Sequence, residues 1–328
     1  MNRQDYSALA IRKRSSREND ESPAHTNRGF GRSAFSIANF AHNDRMTSND
    51  GEITHVSDTA LMVAACRAHE TALEDAFVCD PFAARLAGER GLAILHALPH
   101  SNVAQIGLAI RTRFVDELLL EALRDYPIGT VLSVGCGLDT RPWRLDLQRN
   151  LRWIEIDFAG VLDYKDRLMS GETVRCRRER ITSDVNDPVQ RRAMYEAAGS
   201  APAIMITEGL LLYLPAATVE ALGVESSKQS GVRHWISDVT TSAFSRVLGG
   251  GTDTMQPIRH VQASDALNGE QILDVIRRHG WTTSSQRSYI TDVGFILERV
   301  RRLMGGATPP PLPYPPGDPT GVHRFVHG

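Results

Sequence analysis

Two glycines, Gly135 and Gly137, flank a single cysteine directly after an apolar run in the stretch VLSVGCGLDTRPWRL. Because glycine has no Cβ, a ligand can approach this backbone closely, and the N–H groups of a following helix favour negative charge on it. Two acids, Glu155 and Asp157, follow about 20 residues later, where a carboxylate accepts hydrogen bonds from ribose hydroxyls. Strand alternation places both acids on one face. The spacing predicts a ligand that contains a ribose, unless the acids merely end a strand in water.

Two other nucleotide sites fit this glycine stretch less well. A dinucleotide-binding turn needs Gly or Ala three positions after the second glycine, and Thr140 stands there. A phosphate-binding P-loop needs Gly-Lys followed by Ser or Thr, and no such triplet follows. An NAD-dependent oxidoreductase remains the alternative from another functional class.

The glycine turn belongs to a predicted α/β core. Short apolar runs alternate with helical segments from Thr130 onward, which predicts right-handed βαβ crossovers and a mostly parallel sheet. The predicted strands are TVLSV, LRWIEID, TVRCR, AIMIT, VRHWISDV, TSSQRSY and VGFILERV, and the predicted helices are FAGVLDYKDRLM, DPVQRRAMYEAAG, PAATVEALGVESSK and NGEQILDVIRRHG. Because only the short segment ITDV joins the last two runs, we expect a hairpin and an antiparallel edge strand.

The rest of the chain divides into a helical cover and two tails. Residues 57–126 show helical periodicity and precede the sheet core at 130–300. Residues 1–56 are polar and lack a sustained period, which predicts a disordered arm. Residues 305–328 are rich in Pro and Gly, which predicts an extended or disordered tail. The folded domain is therefore predicted to span 57–304.

The composition restricts the partners. The 328 residues carry 37 Lys plus Arg against 39 Asp plus Glu, a formal net charge of −2, so we expect neither nucleic acid nor a membrane as a partner. Four cysteines lack metal-ligand spacing, so we expect neither a metal site nor a disulfide framework. No uninterrupted apolar run approaches the roughly 18 residues of a membrane span. These features predict a soluble, cytoplasmic protein and leave its oligomeric state open.

Three stretches, GCGLDTRPWRL, WIEIDFAGVLDYK and TEGLLLYLP, resemble the leucine carboxyl methyltransferase family, which includes bacterial polyketide-tailoring O-methyltransferases. The resemblance covers about Ser57 to Val300 and leaves both tails outside. It implies the class I methyltransferase (Rossmann-like) fold, with a seven-stranded, mostly parallel sheet, an antiparallel edge strand and an N-terminal helical cover. It also implies S-adenosyl-L-methionine as the cofactor.

The resemblance further implies contacts for each part of this cofactor. The implied residues are Arg111 for the methionyl carboxylate, Glu208 for the methionyl amino group, Gly135 for a backbone contact, Asp157 for the ribose, and Asp184 with Val185 for the adenine. Gly137 is also expected to bind the cofactor, because it belongs to the same glycine turn as Gly135. A guanidinium is a bidentate partner for a carboxylate, and a cation would explain a glutamate among leucines in the loop after a strand. The family usually has Asp-Leu-Arg followed by an acid and Trp at this place. This chain has DVNDP around Asp184 instead.

The methyl acceptor depends on whether the site contains a base. Methyl transfer from a sulfonium is an in-line displacement, and a carboxylate is already ionised at neutral pH, whereas a phenol benefits from a general base. No histidine stands in a catalytic pattern; the candidates are His69, His100, His234 and His260. We therefore expect a carboxylate of a small metabolite or a peptide terminus, with a phenol or other hydroxyl as the alternative. Tyr213 could line the acceptor pocket or simply pack against neighbouring side chains.

Overall fold

The computed structural model describes residues 52–98, 101–248, 256–303, 306 and 315–328. The predicted N-terminal arm up to residue 51 and the candidate base His100 lie outside the described residues. Near the start of the described chain, Ile53 is 4% exposed and packs with Met62 and Ile94. Folded structure therefore already includes residues that the sequence analysis assigned to the arm.

Seven strands form a single mixed sheet in the order β3-β2-β1-β4-β5-β7-β6. Strands β1 to β5 are parallel to one another, whereas β7 lies between β5 and β6 and is antiparallel to both. The strands are β1 (Thr130–Val134), β2 (Arg152–Asp157), β3 (Arg177–Thr182), β4 (Ala203–Thr207), β5 (Val232–Val239), β6 (Trp281–Ser288) and β7 (Gly321–His327). The predicted fold class is confirmed, with the antiparallel pairing at the β6 edge.

Helices cover both faces of this sheet. The described helices are α1 (Val56–Thr71), α2 (Ala83–Ala97), α3 (Ser101–Asp125), α4 (Arg141–Arg144), α5 (Ala159–Leu168), α6 (Pro188–Ala198), α7 (Ala216–Ser227), α8 (Ser242–Leu248), α9 (Gly269–Arg278) and α10 (Gly294–Leu303), and short 3-10 helices lie at Leu211–Tyr213 and Gln256–Val261. Side chains alternate between two cores, so that Leu132 of β1 packs with α6, α7 and α9, and Val131 packs with α3 and α10. Among the described residues, no helix has the length and apolar character to cross a bilayer.

Two predictions at the carboxyl end of the chain are wrong. The run VGFILERV, predicted as the last strand, lies in α10, where Val293, Ile296 and Val300 face the core of α3 at helical spacing. The true last strand is β7, which lies in the segment 305–328 that was predicted to be extended or disordered. Because β7 is inserted between two strands, Phe325 is fully buried although Arg324 before it is charged.

Candidate active site

A cavity of about 1210 Å³ opens where the parallel strands β1, β2, β4 and β5 end. Its walls come from these strand ends, from α1, α3 and α10, and from the 3-10 helix at Gln256–Val261. Six of the residues predicted from the sequence line this one cavity, namely Arg111, Gly135, Gly137, Asp157, Glu208 and Tyr213. Ligands of parallel α/β sheets bind at this end of the strands.

The glycine turn fits closely between β1 and β2. Gly135 and Gly137 have φ angles of 62° and 48°, in the left-handed region that side chains other than glycine adopt at a cost. Gly135 N donates to the Ile156 carbonyl oxygen at 2.8 Å, which ties the turn to the second strand. A Cβ at position 135 would lie 2.7 Å from Leu210 Cδ1. Backbone conformation and space therefore both favour glycine at position 135.

Asp157 supports the glycine turn from the end of β2. Its Oδ2 accepts from Gly137 N at 2.7 Å, and its Oδ1 accepts from Phe158 N at 2.8 Å. Each oxygen has a further lone pair for a ligand hydroxyl. Burial raises the pKa of Asp157, although both backbone hydrogen bonds oppose that rise. Phe158, 40% exposed, lines the cavity next to this carboxylate and offers an aromatic face.

Glu155, the other acid of β2, is bound within the protein. Its side chain is fully buried, and its oxygens meet Lys165 Nζ at 2.8 Å and Arg178 Nε at 2.7 Å. Lys165 Nζ also lies 3.4 Å from Cys136 Sγ and 3.4 Å from the Asp139 carbonyl oxygen. The Glu155–Lys165 pair therefore stabilises the glycine turn and is not among the described residues that line the cavity.

Arg111 and Glu208 form the polar centre of the cavity. Arg111 Nε donates to Glu208 Oε1 at 3.1 Å, and Arg141 Nη1 lies 2.8 Å from Glu208 Oε2. Arg111 Nη1 also lies 3.6 Å from Asp238 Oδ2. Burial alone would raise the pKa of Glu208, but Arg141 and Arg111 lower it to about 2. Glu208 is thus a firmly ionised carboxylate held between two guanidinium groups.

Arg141, Asp238 and Tyr289 are among the polar residues of the cavity that the sequence analysis missed. Asp238 Oδ1 accepts from Gly209 N at 2.6 Å, and burial raises the pKa of Asp238 despite the nearby Arg111. One signal was available, because Asp238 stands near the end of its strand, β5, as Asp157 does in β2. Tyr289 follows an exposed strand, and the sequence around it carries no comparable signal.

The two residues implied for the adenine lie elsewhere in the structure. Asp184 Oδ1 accepts from Asn186 N at 2.9 Å in the turn before α6, and Val185 is 8% exposed within the core. In the described part of the chain, neither is among the residues that line the cavity. Their contact with adenine stays a prediction.

The described candidate bases also lie outside the cavity lining. His69 is exposed on α1, His234 packs against Tyr126, and His260 Nε2 lies 2.5 Å from the Ile53 carbonyl oxygen. Burial and Arg324 lower the pKa of His234 to about 4. Within the described ranges, no group of three or more His, Cys, Asp or Glu side chains could hold a metal ion.

The chain is similar in sequence to known proteins. A provisionally named S-adenosyl-L-methionine-dependent methyltransferase from Streptomyces avermitilis is 36% identical over 183 residues, which are 52% of this chain and 64% of that protein. One from Mycobacterium marinum is 28% identical over 72% of this chain and 88% of its own length. For the first relatives, the match thus spans less than two thirds of their length.

A solved structure shows the fold. The crystal structure of a DUF574 family protein from Streptomyces avermitilis superposes with a TM-score of 0.53 at 10% identity, over 82% of this chain and 97% of that one. The sequence model of one family matches residues 60–224, about half of the 328 residues, and includes β1, β2, β4 and the glycine turn. The chain belongs to the leucine carboxyl methyltransferase family.

Proposed function

We propose that this protein is an S-adenosyl-L-methionine-dependent O-methyltransferase that methylates a carboxylate of a small metabolite or a peptide terminus. One observation carries the proposal: a single cavity brings together the glycine turn, Asp157, and the paired Arg111 and Glu208. Family membership supports S-adenosyl-L-methionine-dependent methyl transfer, because the matching relatives are named for that activity, and the carboxylate acceptor is our own proposal.

The residues present fit the chemical groups of this cofactor. The two carboxylate oxygens of Asp157 each keep a lone pair for the neighbouring hydroxyls of a ribose. Arg111 and Glu208 offer one cation and one anion side by side, which suits the carboxylate and the ammonium of an amino acid. Phe158 offers an aromatic face beside Asp157 for a base.

The sulfonium of the cofactor supplies an electrophilic methyl group. An acceptor carboxylate attacks with an oxygen lone pair, so that an O–C bond forms while the S–C bond breaks and its electron pair stays on sulfur. The products are a methyl ester and S-adenosylhomocysteine, and no proton needs to move. The protein's task is therefore to align the acceptor oxygen and exclude water. The described cavity lining contains no histidine, which suits an acceptor that is already ionised.

A hydroxyl acceptor is the second candidate, and Asp238 favours it. Because burial raises the pKa of this carboxylate, it is a better base than an exposed aspartate. Asp238 nevertheless already accepts from Gly209 N and faces Arg111, which limits its freedom to take a proton. An NAD-dependent oxidoreductase is less favoured, because its usual strand order continues past β5 without an inserted antiparallel strand.

Calorimetry with S-adenosylhomocysteine and NADH tests the cofactor first. We expect S-adenosylhomocysteine to bind and NADH not to bind. Release of S-adenosylhomocysteine from S-adenosyl-L-methionine, measured with a panel of carboxylic acids and phenols, then tests the acceptor. Turnover with phenols alone, and a rate that rises with pH, would transfer the assignment to the hydroxyl acceptor. Binding without turnover on any acceptor would indicate a protein that has kept the site and lost catalysis.

A further inference from the structure

Tyr289 brings an unused hydroxyl to the cavity. It follows β6, and its ring stacks on Phe114 at a centroid distance of 5.9 Å and packs against Phe244 at 5.8 Å. The hydroxyl oxygen is buried and has no hydrogen-bond partner among the described residues. A buried hydroxyl without a partner is unfavourable unless a ligand satisfies it. Tyr289 is one of the residues that line the cavity.

Tyr213 provides a useful contrast within the same cavity. Its hydroxyl bonds to the Thr59 side chain of α1, and Tyr213 therefore joins the wall to the helical cover. Tyr289 has no such structural partner in the described chain. Burial and the carboxylate of Asp238 raise the pKa of Tyr289 well above its usual value. Its hydroxyl therefore keeps its proton at neutral pH and acts as a donor, which suits an anionic oxygen.

The wall beside Tyr289 is apolar. Ile106, Ile110 and Ile296 of α3 and α10 line the cavity and pack in the same apolar cluster as Tyr289. Met62, Val63 and Ile258 also line the cavity and pack in a second apolar cluster. Leu297 of α10 also lines the cavity and is 51% exposed. The guanidinium of Arg67 in the lining is already paired with Asp80 at 2.8 Å. Glu298 and Arg301 of α10 also line the cavity, but both are exposed, so the wall beside Tyr289 suits a hydrocarbon held by contact.

The volume leaves room for such a molecule. Pockets for one drug-sized ligand measure roughly 300–1000 Å³, and this cavity is about 1210 Å³. The polar residues Arg111, Asp157 and Glu208 occupy the sheet end, and the apolar wall occupies the helical side.

We propose that the acceptor is an apolar monocarboxylic acid whose hydrocarbon chain lies along this wall and whose carboxylate accepts a hydrogen bond from the Tyr289 hydroxyl. The inference rests on the proposed function and names its substrate class. A single hydroxyl donor orients a carboxylate while leaving its other oxygen nucleophilic, whereas a direct ion pair would withdraw electron density from it. Tyr289 is a substrate-contacting residue in this arrangement.

Chain length is the first test. Binding of butanoate, octanoate and dodecanoate to the full chain is measured by calorimetry, with and without saturating S-adenosylhomocysteine, and succinate serves as the polar control. Each further methylene that is buried should raise the affinity about threefold to fourfold. Equal affinities for the three acids, or tighter binding of succinate, would overturn the inference. Failure of S-adenosylhomocysteine to bind would instead count against the proposed function, and dodecanoate binding to the protein alone still decides the inference.

Paired variants then test the residues. Tyr289→Phe should weaken dodecanoate binding about 10-fold to 100-fold, because one hydrogen bond to a charged group is lost. Its melting temperature should not fall, because the hydroxyl has no partner in the described protein. Tyr195→Phe is the matched control, since Tyr195 belongs to α6, is buried in the core and is not among the described cavity residues. Unchanged dodecanoate affinity in Tyr289→Phe would refute the assignment of this hydroxyl.

The apolar wall has its own matched pair. Leu297→Gln should weaken dodecanoate binding several-fold and leave butanoate binding nearly unchanged, because only the longer chain reaches α10. Leu92→Gln changes an equally exposed leucine, 41% exposed on α2, that is not among the described cavity residues. The two variants should therefore differ in dodecanoate affinity and not in melting temperature. Equal dodecanoate affinities would contradict the placement of the hydrocarbon.

Discussion

Replacement of Asp157 by Asn tests the link between the glycine turn and the cofactor. Both carboxylate oxygens already accept a backbone N–H, from Gly137 at 2.7 Å and from Phe158 at 2.8 Å. An asparagine has only one side-chain oxygen, so in either orientation its NH₂ group faces one of these two N–H donors. The isosteric change should therefore be nearly as severe as Asp157→Ala.

The expected magnitudes follow from these contacts. One buried N–H that loses its acceptor costs about 1–3 kcal/mol, which lowers the melting temperature of the ligand-free protein by several degrees. Two charge-assisted hydrogen bonds to a ribose contribute about 1.5 kcal/mol each at the lower limit. Their loss should weaken S-adenosylhomocysteine binding by about 100-fold or more.

Calorimetric titration and a thermal melt of each variant provide the two readouts. Asp163→Asn is the control, because Asp163 lies on α5, pairs with Arg180 at 2.8 Å, and is mostly exposed. It should change neither the affinity nor the stability appreciably. If Asp157→Asn binds S-adenosylhomocysteine within threefold of the unchanged protein, the role assigned to this carboxylate is wrong.

Three further predictions concern stability and the glycine turn. Burial and a neighbouring arginine lower the pKa of His234 to about 4. The protein should therefore lose about 1–3 kcal/mol of stability as the pH falls from about 6.5 to 4, because the unfolded chain binds the proton more readily. Urea unfolding of His234→Asn should show a pH dependence that is smaller by this amount. Lys165→Met should destabilise by about 3 kcal/mol, since it leaves the buried Glu155 short of a partner, while the exposed Lys228→Met should have little effect in the same urea titration. Gly135→Ala should cost about 1–2 kcal/mol for its left-handed φ and should also weaken S-adenosylhomocysteine binding in calorimetry; unchanged affinity would show that the turn tolerates a Cβ.

The parallel half of the sheet is predictable from sequence because its strands are buried on both faces. The predicted runs TVLSV, AIMIT and VRHWISDV coincide with β1, β4 and β5. A continuous apolar run between turn residues is the signature of such a strand. The helices between these strands were also placed within a few residues, because each combines an amphipathic period with flanking turn residues.

The antiparallel end of the sheet was predicted wrongly for two physical reasons. An eight-residue apolar run such as VGFILERV fits a helix and a strand equally well by periodicity, and its contact with α3 decides for the helix. Strand β7 contains two consecutive residues, His323 and Arg324, that are polar yet buried. His323 Nε2 lies 2.6 Å from the Pro319 carbonyl oxygen, so a contact outside the strand makes burial possible. No local pattern reveals such a partner.

The residues of the candidate site also divide into those that chain order predicts and those that it does not. Residues at strand ends, such as Gly135 and Asp157, follow from chain order, because parallel strands bring their carboxyl ends to one edge. Arg141 and Tyr289 reach the cavity through the tertiary fold, from α4 and from the residue after β6. Family resemblance supplied Arg111, which no spacing argument connects with the strands. The part of the site that sequence order cannot predict is the part contributed by the helical cover and the antiparallel strands.

The paired charges of the cavity explain how a zwitterion can enter it without leaving a buried ion unpaired. Removing one member of a buried ion pair is strongly destabilising, because the other charge remains without a partner. Here Glu208 has a second cation in Arg141, 2.8 Å away, and Arg111 has a second anion in Asp238, 3.6 Å away. In the proposed complex, the ligand's ammonium would meet Glu208 and its carboxylate would meet Arg111 while both second partners stay in place. This is a physical reason for two guanidinium groups and two carboxylates where one of each would suffice to recognise the ligand.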